Sequence, residues 1–261
     1  MTRDYMRPVF QPEEGFGMGF KWIFGICLAS FVLMQINLYD IASFMRDQLW
    51  LYIGEFAPWQ LLTYMFIHED PVHLLFNLIS LFFFGNMAEG VFGTKTFVRY
   101  YLLCGIGGGL GGYLFYFFVG VNHPVIGASG ALYGVMYACY RFFPDQIFNF
   151  FMIFPIKLKY LVMLLGLISF VMLFDKSGNQ AHYAHLGGLV TGFLYFRFGD
   201  KANQWLLSFR QRKERNEFKR NAELKVQVDE ILAKISREGM GALNAKEKKL
   251  LQEASKKFTK T

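Results

Sequence analysis

The chain has 261 residues, of which 54% are hydrophobic and 19% aromatic, whereas only 18% are charged. This composition argues against a water-soluble globular protein, and several apolar runs approach the ~20 residues that span a bilayer as a helix. The net charge of +7 does not indicate nucleic-acid binding, because residues 197–261 carry 17 Lys and Arg against 9 Asp and Glu, while residues 1–196 carry 10 against 11. We therefore predict an all-α, polytopic membrane protein whose partner is the lipid bilayer and not nucleic acid.

The apolar runs predict six membrane-spanning helices. They cover residues 20–39, 71–91, 95–119, 128–143, 157–174 and 181–198. The fourth is short for a bilayer crossing, so we expect it to begin below the membrane surface after a buried loop at residues 120–127. The segment before the first span is mixed in composition, which favours an insertion signal that stays in the protein over a cleaved signal peptide.

Basic residues in the connecting loops predict the orientation. One set of loops is rich in Lys and Arg and includes Arg3, Arg7, Lys21, Lys95, Arg99, Arg141, Lys157, Lys159 and the C-terminal tail. The opposite set contains only Arg46 and Lys176. Because basic loops stay in the cytoplasm, both termini are expected there, and spans 2, 4 and 6 are entered from the outer side. The first outer loop, residues 40–70, is dense in aromatic side chains, which is typical of a segment lying in the membrane interface.

The second span opens with a predicted helix cap and carries two polar residues. Asp70 and Pro71 fit the N-cap and first position of a helix. His73 and Asn77, in HLLFN, are four residues apart and therefore share one helix face. Alone, such a pair is typical of hydrogen bonds between helices. Glu89 lies too far along the span to join them and is interpreted as a structural or interfacial charge.

Glycines in three spans predict close helix packing. The third span contains CGIGGGLGG, which lacks the Lys and Ser/Thr of a phosphate-binding loop and instead lets neighbouring backbones approach. In the fourth and sixth spans the helix-packing glycines are four residues apart: Gly130 with Gly134, and Gly188 with Gly192. If these two stripes pack together, the hydroxyl of Ser129 and the imidazole of His185 come within reach of each other.

These polar residues form a set suited to acyl transfer. Ser129 could attack a carbonyl, His185 could take its proton, and His73, Asn77 and the Ser129 backbone N–H could form an oxyanion hole. A carboxylate that would orient the histidine is missing, so the sequence favours a Ser–His dyad over a triad. Tyr133, four residues after Ser129, could stack on the imidazole or simply fill space. No Cys or His pair has metal-ligand spacing, so neither a metal nor a cofactor is predicted, and Cys27, Cys104 and Cys139 are interpreted as small core residues.

The motifs HLLFN in span 2, GASG at the start of span 4 and AHLGGLVTG in span 6 resemble those of rhomboid intramembrane serine proteases. The resemblance covers residues 20–199 and implies a six-helix bundle that cleaves transmembrane segments of membrane proteins. It also implies lateral substrate entry, with spans 2 and 5 and the loop at residues 175–181 as the gate. The implied site residues are Ser129 as nucleophile, His185 as base, Tyr133 stacked on it, and His73, Asn77 and the Ser129 N–H as the oxyanion hole.

The three predicted segments are a cytoplasmic N-terminal segment (1–19), a protease domain (20–199) and a cytoplasmic helical extension (200–261). Residues 222–237 have an amphipathic pattern, Gly239 and Gly241 would end that helix, and Asn244 would begin the next, which predicts a small helical hairpin. The extension resembles a small helical extension on some bacterial members, and no function is implied for it. The expected location of the protein is the bacterial inner membrane. The basic face of the extension could contact anionic headgroups or only solvent.

Several alternatives stay open at this stage. His182 fits a residue at the membrane edge better than an alternative base, and His68 and His123 are expected to line the outer loops. The main functional alternative is a catalytically inactive relative that binds membrane-protein clients without cutting them. A channel or transporter is disfavoured because the spans show neither a continuous polar stripe nor inverted repeats. The oligomeric state is not predicted.

Overall fold

The computed structural model describes residues 16–36, 39–52, 54–120, 123–150, 154–174 and 181–244, together with residues 246, 248, 250 and 251. The helices are α1 (Met18–Gln35), α2 (Tyr39–Leu49), α3 (Gln60–Thr63), α4 (Pro71–Ser80), α5 (Asn86–Phe92), α6 (Thr94–Val119), α7 (Ser129–Phe142), α8 (Leu158–Val171) and α9 (Ala181–Glu238). A π-helical turn, Leu81–Gly85, joins α4 to α5, and 3₁₀ turns cover Tyr64–Phe66, Met172–Phe174 and Met240–Ala242. Strands β1 (Ile147–Phe150) and β2 (Phe154–Lys157) form an antiparallel hairpin.

The predicted polytopic helical membrane fold is confirmed. Three helices of the described chain are long and apolar enough to cross a membrane: Met18–Gln35, Pro71–Phe92 and Thr94–Phe118. The other predicted spans correspond to α7, which is 14 residues long, to the apolar helix Leu158–Phe174, and to the first part of α9. Large apolar side chains such as Trp22 and Phe117 are 65% and 73% exposed, as expected for surfaces that face lipid.

The β1–β2 hairpin was not predicted. Its residues lie between α7 and α8 and are almost entirely apolar, so they carry neither the alternation of a half-buried strand nor a glycine turn signal. Phe148 packs on Phe83 and Phe84 of the π-helical turn, with ring centroids 5.2 and 5.0 Å apart. The hairpin is therefore held by aromatic contacts with the bundle.

The chain divides into two compact units, Met1–Arg197 and Phe198–Thr261. In the second unit, helix α9 continues to Glu238 instead of starting anew near residue 222 as the amphipathic pattern predicted. A glycine such as Gly199 costs a helix only about 1 kcal/mol, and good helix formers follow it. The helix ends before Gly239, whose φ is +81°, and Lys248 N–H donates to the Asn244 carbonyl at the predicted second start. The predicted cap partner Glu247 lies outside the described residues.

Glu89 is a structural residue, as predicted. Its carboxylate is buried and accepts hydrogen bonds from the N–H groups of Gly19 (2.9 Å) and Phe20 (2.7 Å) at the start of α1. The Thr94 hydroxyl donates to the same carboxylate at 2.6 Å. A side chain at Gly17 would collide with it. Glu89 thus satisfies unpaired donors of the α1 N-terminus with a negative charge, which ties α1 to the junction of α5 and α6.

The long loop before α4 is partly folded into the bundle. The exposed aromatic side chains Phe44 and Trp59 agree with the predicted interfacial segment, but Trp50 and Tyr64 are buried. Leu51 forms an isolated antiparallel bridge with Val125, with N···O distances of 3.2 and 3.0 Å. Two segments far apart in sequence are therefore joined by main-chain hydrogen bonds just before α7 begins.

Candidate active site

Ser129 is the first residue of α7 and follows a tightly held turn. Gly127 has a φ of +99°, a conformation that L side chains rarely adopt. Its N–H donates to the Tyr64 carbonyl at 2.9 Å, and the Ala128 N–H donates to Nε2 of His68 at 3.3 Å. The backbone N–H of Ser129 lies in the first turn of the helix, where no carbonyl four residues earlier in the helix can accept from it.

Close backbone contact between α7 and α9 brings Ser129 to His185. A Cβ on Gly188 would overlap the Gly130 carbonyl, and one on Gly192 would lie 3.2 Å from the Gly134 Cα. At this separation Nε2 of His185 is 2.7 Å from the Ser129 hydroxyl oxygen. For the hydroxyl to donate, Nε2 must be unprotonated and Nδ1 must carry the ring proton.

The glycine run of α6 lies against both of these helices. Gly108 is so placed that a Cβ would be 3.0 Å from the Ala184 carbonyl of α9 and 3.2 Å from the Gly130 Cα of α7. A Cβ on Gly107 or Gly111 would meet α9 as well. Helices α7 and α9 therefore both pack against the glycine-rich face of α6.

The His185 ring is held by stacking. Tyr133 lies parallel to it, with ring centroids 4.2 Å apart and planes inclined by 7°. No described residue hydrogen-bonds to Nδ1 of His185. The Ser169 hydroxyl of α8, which is fully buried, hydrogen-bonds to the Tyr133 hydroxyl at 3.2 Å. His182 meets His185 edge to face at 5.8 Å and is not placed between Ser129 and the base.

His73 and Asn77 face the turn before Ser129. As predicted, Asp70 caps α4, accepting from the His73 N–H at 2.8 Å, and Pro71 is the first helical residue. The His73 ring lies so close to Gly127 that a side chain there would collide with it. The Asn77 amide donates one hydrogen to the His73 carbonyl at 2.9 Å, which leaves its second hydrogen for another acceptor.

Two residues of this region were not assigned to it from sequence. His68, predicted only to line an outer loop, is fully buried, contacts the His73 ring edge to face at 5.0 Å, and accepts from Ala128. Burial, reinforced by His73, lowers the pKa of His68 from 6.5 to about 4. Ser169 could have been noticed as a lone hydroxyl in an apolar span. His123, the other loop histidine, is exposed.

The remaining predictions concern metals, thiols and the gate. Within the described ranges, no group of three or more His, Cys, Asp or Glu could hold a metal ion. Cys27, Cys104 and Cys139 are buried free thiols, which confirms them as small core residues. Residues 175–180 of the predicted gate loop, including Asp175 and Lys176, lie outside the described residues.

Comparison with known proteins identifies two matching families. The family described as Rhomboid domain matches residues 55–199, and a family of unknown function (DUF6576) matches residues 213–257.

The chain is 32% identical to RHOMBOID-like protein 2 of Arabidopsis thaliana over 142 residues, which is 54% of this chain and 42% of that protein. It is 31% identical to the putative rhomboid protease YdcA of Bacillus subtilis over 144 residues, covering 52% of this chain and 64% of the relative. Identity to the rhomboid protease GlpG of Haemophilus influenzae is 24% over 172 residues, covering 65% and 84%. The chain thus spans about two fifths of the length of the plant relative.

Proposed function

The chain belongs to the rhomboid family, and on that premise we propose that it is an intramembrane serine endopeptidase with a Ser129–His185 dyad. The observation that carries the proposal is the 2.7 Å approach of the Ser129 hydroxyl to Nε2 of His185. Relatives named as rhomboid proteases support the reaction class. The proposed substrates are transmembrane segments of membrane proteins.

In the proposed mechanism, the Ser129 oxygen attacks the scissile carbonyl carbon while Nε2 of His185 takes the hydroxyl proton. The carbonyl oxygen becomes an oxyanion, for which the Ser129 N–H, the His73 ring and the free Asn77 N–H are the proposed donors. Removing one such donor typically lowers the rate about 10²- to 10³-fold. His73 and Asn77 suit this role because both lie beside the Gly127 turn.

Collapse of the tetrahedral intermediate breaks the C–N bond, and His185 gives its proton to the leaving nitrogen. This step leaves an acyl-enzyme on Ser129. Water, deprotonated by His185, then attacks the ester carbon, the C–O bond to Ser129 breaks, and His185 returns the proton to the Ser129 oxygen as the second product leaves. Tyr133 acts on none of these atoms and only keeps the imidazole aligned.

We place this chemistry on the outer side of the membrane, with both termini in the cytoplasm of a bacterial inner membrane. The distribution of Lys and Arg among the loops supports this orientation. Residues 20–199 form the proposed protease domain, and residues 1–19 and 200–261 are the proposed cytoplasmic segments. No catalytic role is assigned to the extension.

A fluorophosphonate probe tests the proposal in detergent micelles. The purified wild-type chain should be labelled and should cleave a transmembrane substrate, whereas Ser129→Ala should do neither. Ser30→Ala is a matched control, because Ser30 is a buried serine that hydrogen-bonds the Phe66 carbonyl. If the wild type is labelled no more than Ser129→Ala, the protein is an inactive relative that binds its clients without cutting them.

A further inference from the structure

Among the described residues, the proposed base has no acidic partner. In a Ser–His–Asp triad a carboxylate holds the imidazole through Nδ1, but here no described residue hydrogen-bonds to Nδ1 of His185. The ring is held by the face of Tyr133 instead. Because aromatic rings prefer a few defined arrangements, the position of the Tyr133 ring restricts where the stacked imidazole lies.

The hydroxyl end of the Tyr133 side chain is held by a residue of α8. The Ser169 hydroxyl hydrogen-bonds to the Tyr133 hydroxyl at 3.2 Å, and Ser169 is 0% exposed. Residues 161–174 contain no other hydroxyl, amide or charged side chain. Burying a lone hydroxyl in such a helix is unfavourable unless it is hydrogen-bonded, and Tyr133 supplies that partner.

The packing of α8 brings this hydroxyl pair within range. Val162, Gly166 and Ser169 lie on the buried face of α8. A Cβ on Gly166 would be 3.1 Å from a methyl group of Leu189, so the helix approaches α9 closely one turn before Ser169. Since hydrogen bonds weaken steeply beyond about 3.5 Å, a shift of α8 by roughly an ångström would break the contact with Tyr133.

We propose that Ser169 is a positioning residue that holds Tyr133, and through it His185, in line with Ser129. The proposal rests on the proteolytic function proposed above and extends the catalytic machinery to a helix that carries none of the predicted catalytic groups. Alignment of the base therefore depends on where α8 lies.

Kinetics of four variants of the full chain in micelles test this role. Ser169→Ala should lower kcat about two- to tenfold with KM unchanged, because one hydrogen bond is lost and it supports the transition state rather than substrate binding. Tyr133→Phe keeps the ring but loses the same bond, so it should show the same loss. The double variant should be no slower than either single variant, since both remove one interaction. Ser30→Ala should leave kcat unchanged.

Three kinetic results would overturn the proposal. An unchanged kcat in Ser169→Ala would show that the hydroxyl has no effect on the base. Losses that multiply in the double variant would show that Ser169 and Tyr133 act separately. An equal loss in Ser30→Ala would show that removing any buried serine of the bundle has this effect.

A spectroscopic readout decides the point independently of turnover. In protein with ¹³C-labelled histidine, the ring protons of His185 should be shifted upfield by the face of Tyr133. Ser169→Ala should move them towards their position in Tyr133→Leu, and an unmoved resonance would refute the positioning role. If the wild type shows no proteolysis but the resonance moves as expected, the proposed function fails and the Ser169 contact stands.

Discussion

The rings of Tyr133 and His185 lie face to face, 4.2 Å apart and within 7° of parallel. This contact joins the fourth residue after Ser129 on α7 to the imidazole on α9. In a triad the imidazole is aligned by a carboxylate hydrogen-bonded to Nδ1, whereas here the contact is with the face of the ring. An aromatic face holds the ring plane without adding a charge to an apolar bundle, where an unpaired carboxylate would be costly.

Tyr133→Leu should reduce kcat by about tenfold or more, and by more than Tyr133→Phe, because leucine removes the stacking face as well as the hydroxyl. The measurement is substrate cleavage at saturating concentration in micelles. Thermal unfolding of the same samples controls for lost packing. Equal activity of the Leu and Phe variants would show that stacking does not align the base.

His185→Ala should abolish cleavage, whereas His182→Ala should largely preserve it. Nε2 of His185 is 2.7 Å from the Ser129 hydroxyl oxygen, while the His182 ring lies edge to face with the imidazole of His185. Cleavage and fluorophosphonate labelling of both variants provide the comparison. Activity retained without His185 and lost without His182 would reassign the base.

Gly188→Ala should lower both stability and activity, because its methyl group would overlap the Gly130 carbonyl and separate α7 from α9. Overpacking of this kind costs about 1–3 kcal/mol. Gly25→Ala is the matched control: Gly25 is also helical but has no neighbour within 4 Å of an added Cβ. Unfolding temperature and labelling rate should fall only in the first variant. Similar behaviour of the two variants would mean that the contact between Gly188 and Gly130 has no role in setting the distance from Ser129 to His185.

Glu89→Gln should destabilise the fold by about 2 kcal/mol, because the neutral amide loses an acceptor and the negative charge at the α1 N-terminus. Glu55→Gln, at an exposed glutamate, should have little effect. Thermal unfolding measures both, and Ser129 labelling well below the unfolding temperature should be unchanged. Lost labelling in a folded Glu89→Gln sample would connect the α1 anchor to the active site.

Stability should decrease as the pH falls from about 6.5 towards 4. Burial lowers the pKa of His68 to about 4, so between these values the unfolded chain binds a proton that the folded chain does not. The contribution is intact above pH 6.5 and amounts to about 3 kcal/mol at most. Unfolding temperatures at pH 7.5 and 5 measure this decrease in stability.

In His68→Gln, which keeps an acceptor for Ala128 but does not titrate, the decrease should be smaller. An identical pH dependence in the two proteins would assign the acid sensitivity to other groups.

The polytopic helical fold could be predicted because apolar run length is a local property of the sequence, and three of the six predicted spans correspond to helices long enough to cross a membrane. The Asp70 cap could also be predicted, since cap chemistry depends on neighbouring residues. The approach of Ser129 to His185 followed from two glycine stripes only if they faced each other, which is a tertiary condition. Ser169 and His68 could not be assigned, because a lone polar residue gives no sign of its partner on another helix.

The β1–β2 hairpin and the length of α9 show the same limitation in secondary structure. The hairpin is stabilised by aromatic contacts between Phe148 and the turn at Phe83 and Phe84. A continuous apolar run does not predict such contacts, because it fits a strand and a buried helix equally well. At Gly199 the composition changes but the helix does not end, because α9 continues to Glu238.

The antiparallel bridge between Leu51 and Val125 fixes which residue of the loop before Ser129 pairs with which residue of the loop before α4. A slip of one residue would turn the fully buried Leu51 to the opposite face and displace the following turn by roughly 3.4 Å. Insertions between Val125 and Ser129 would lengthen the short segment between this bridge and α7, so they should be tolerated far less well than insertions of equal length near the exposed Gly54 and Glu55. The loop that contains Leu51 could therefore accept changes of length, whereas the segment from Val125 to Ser129 must keep its number of residues.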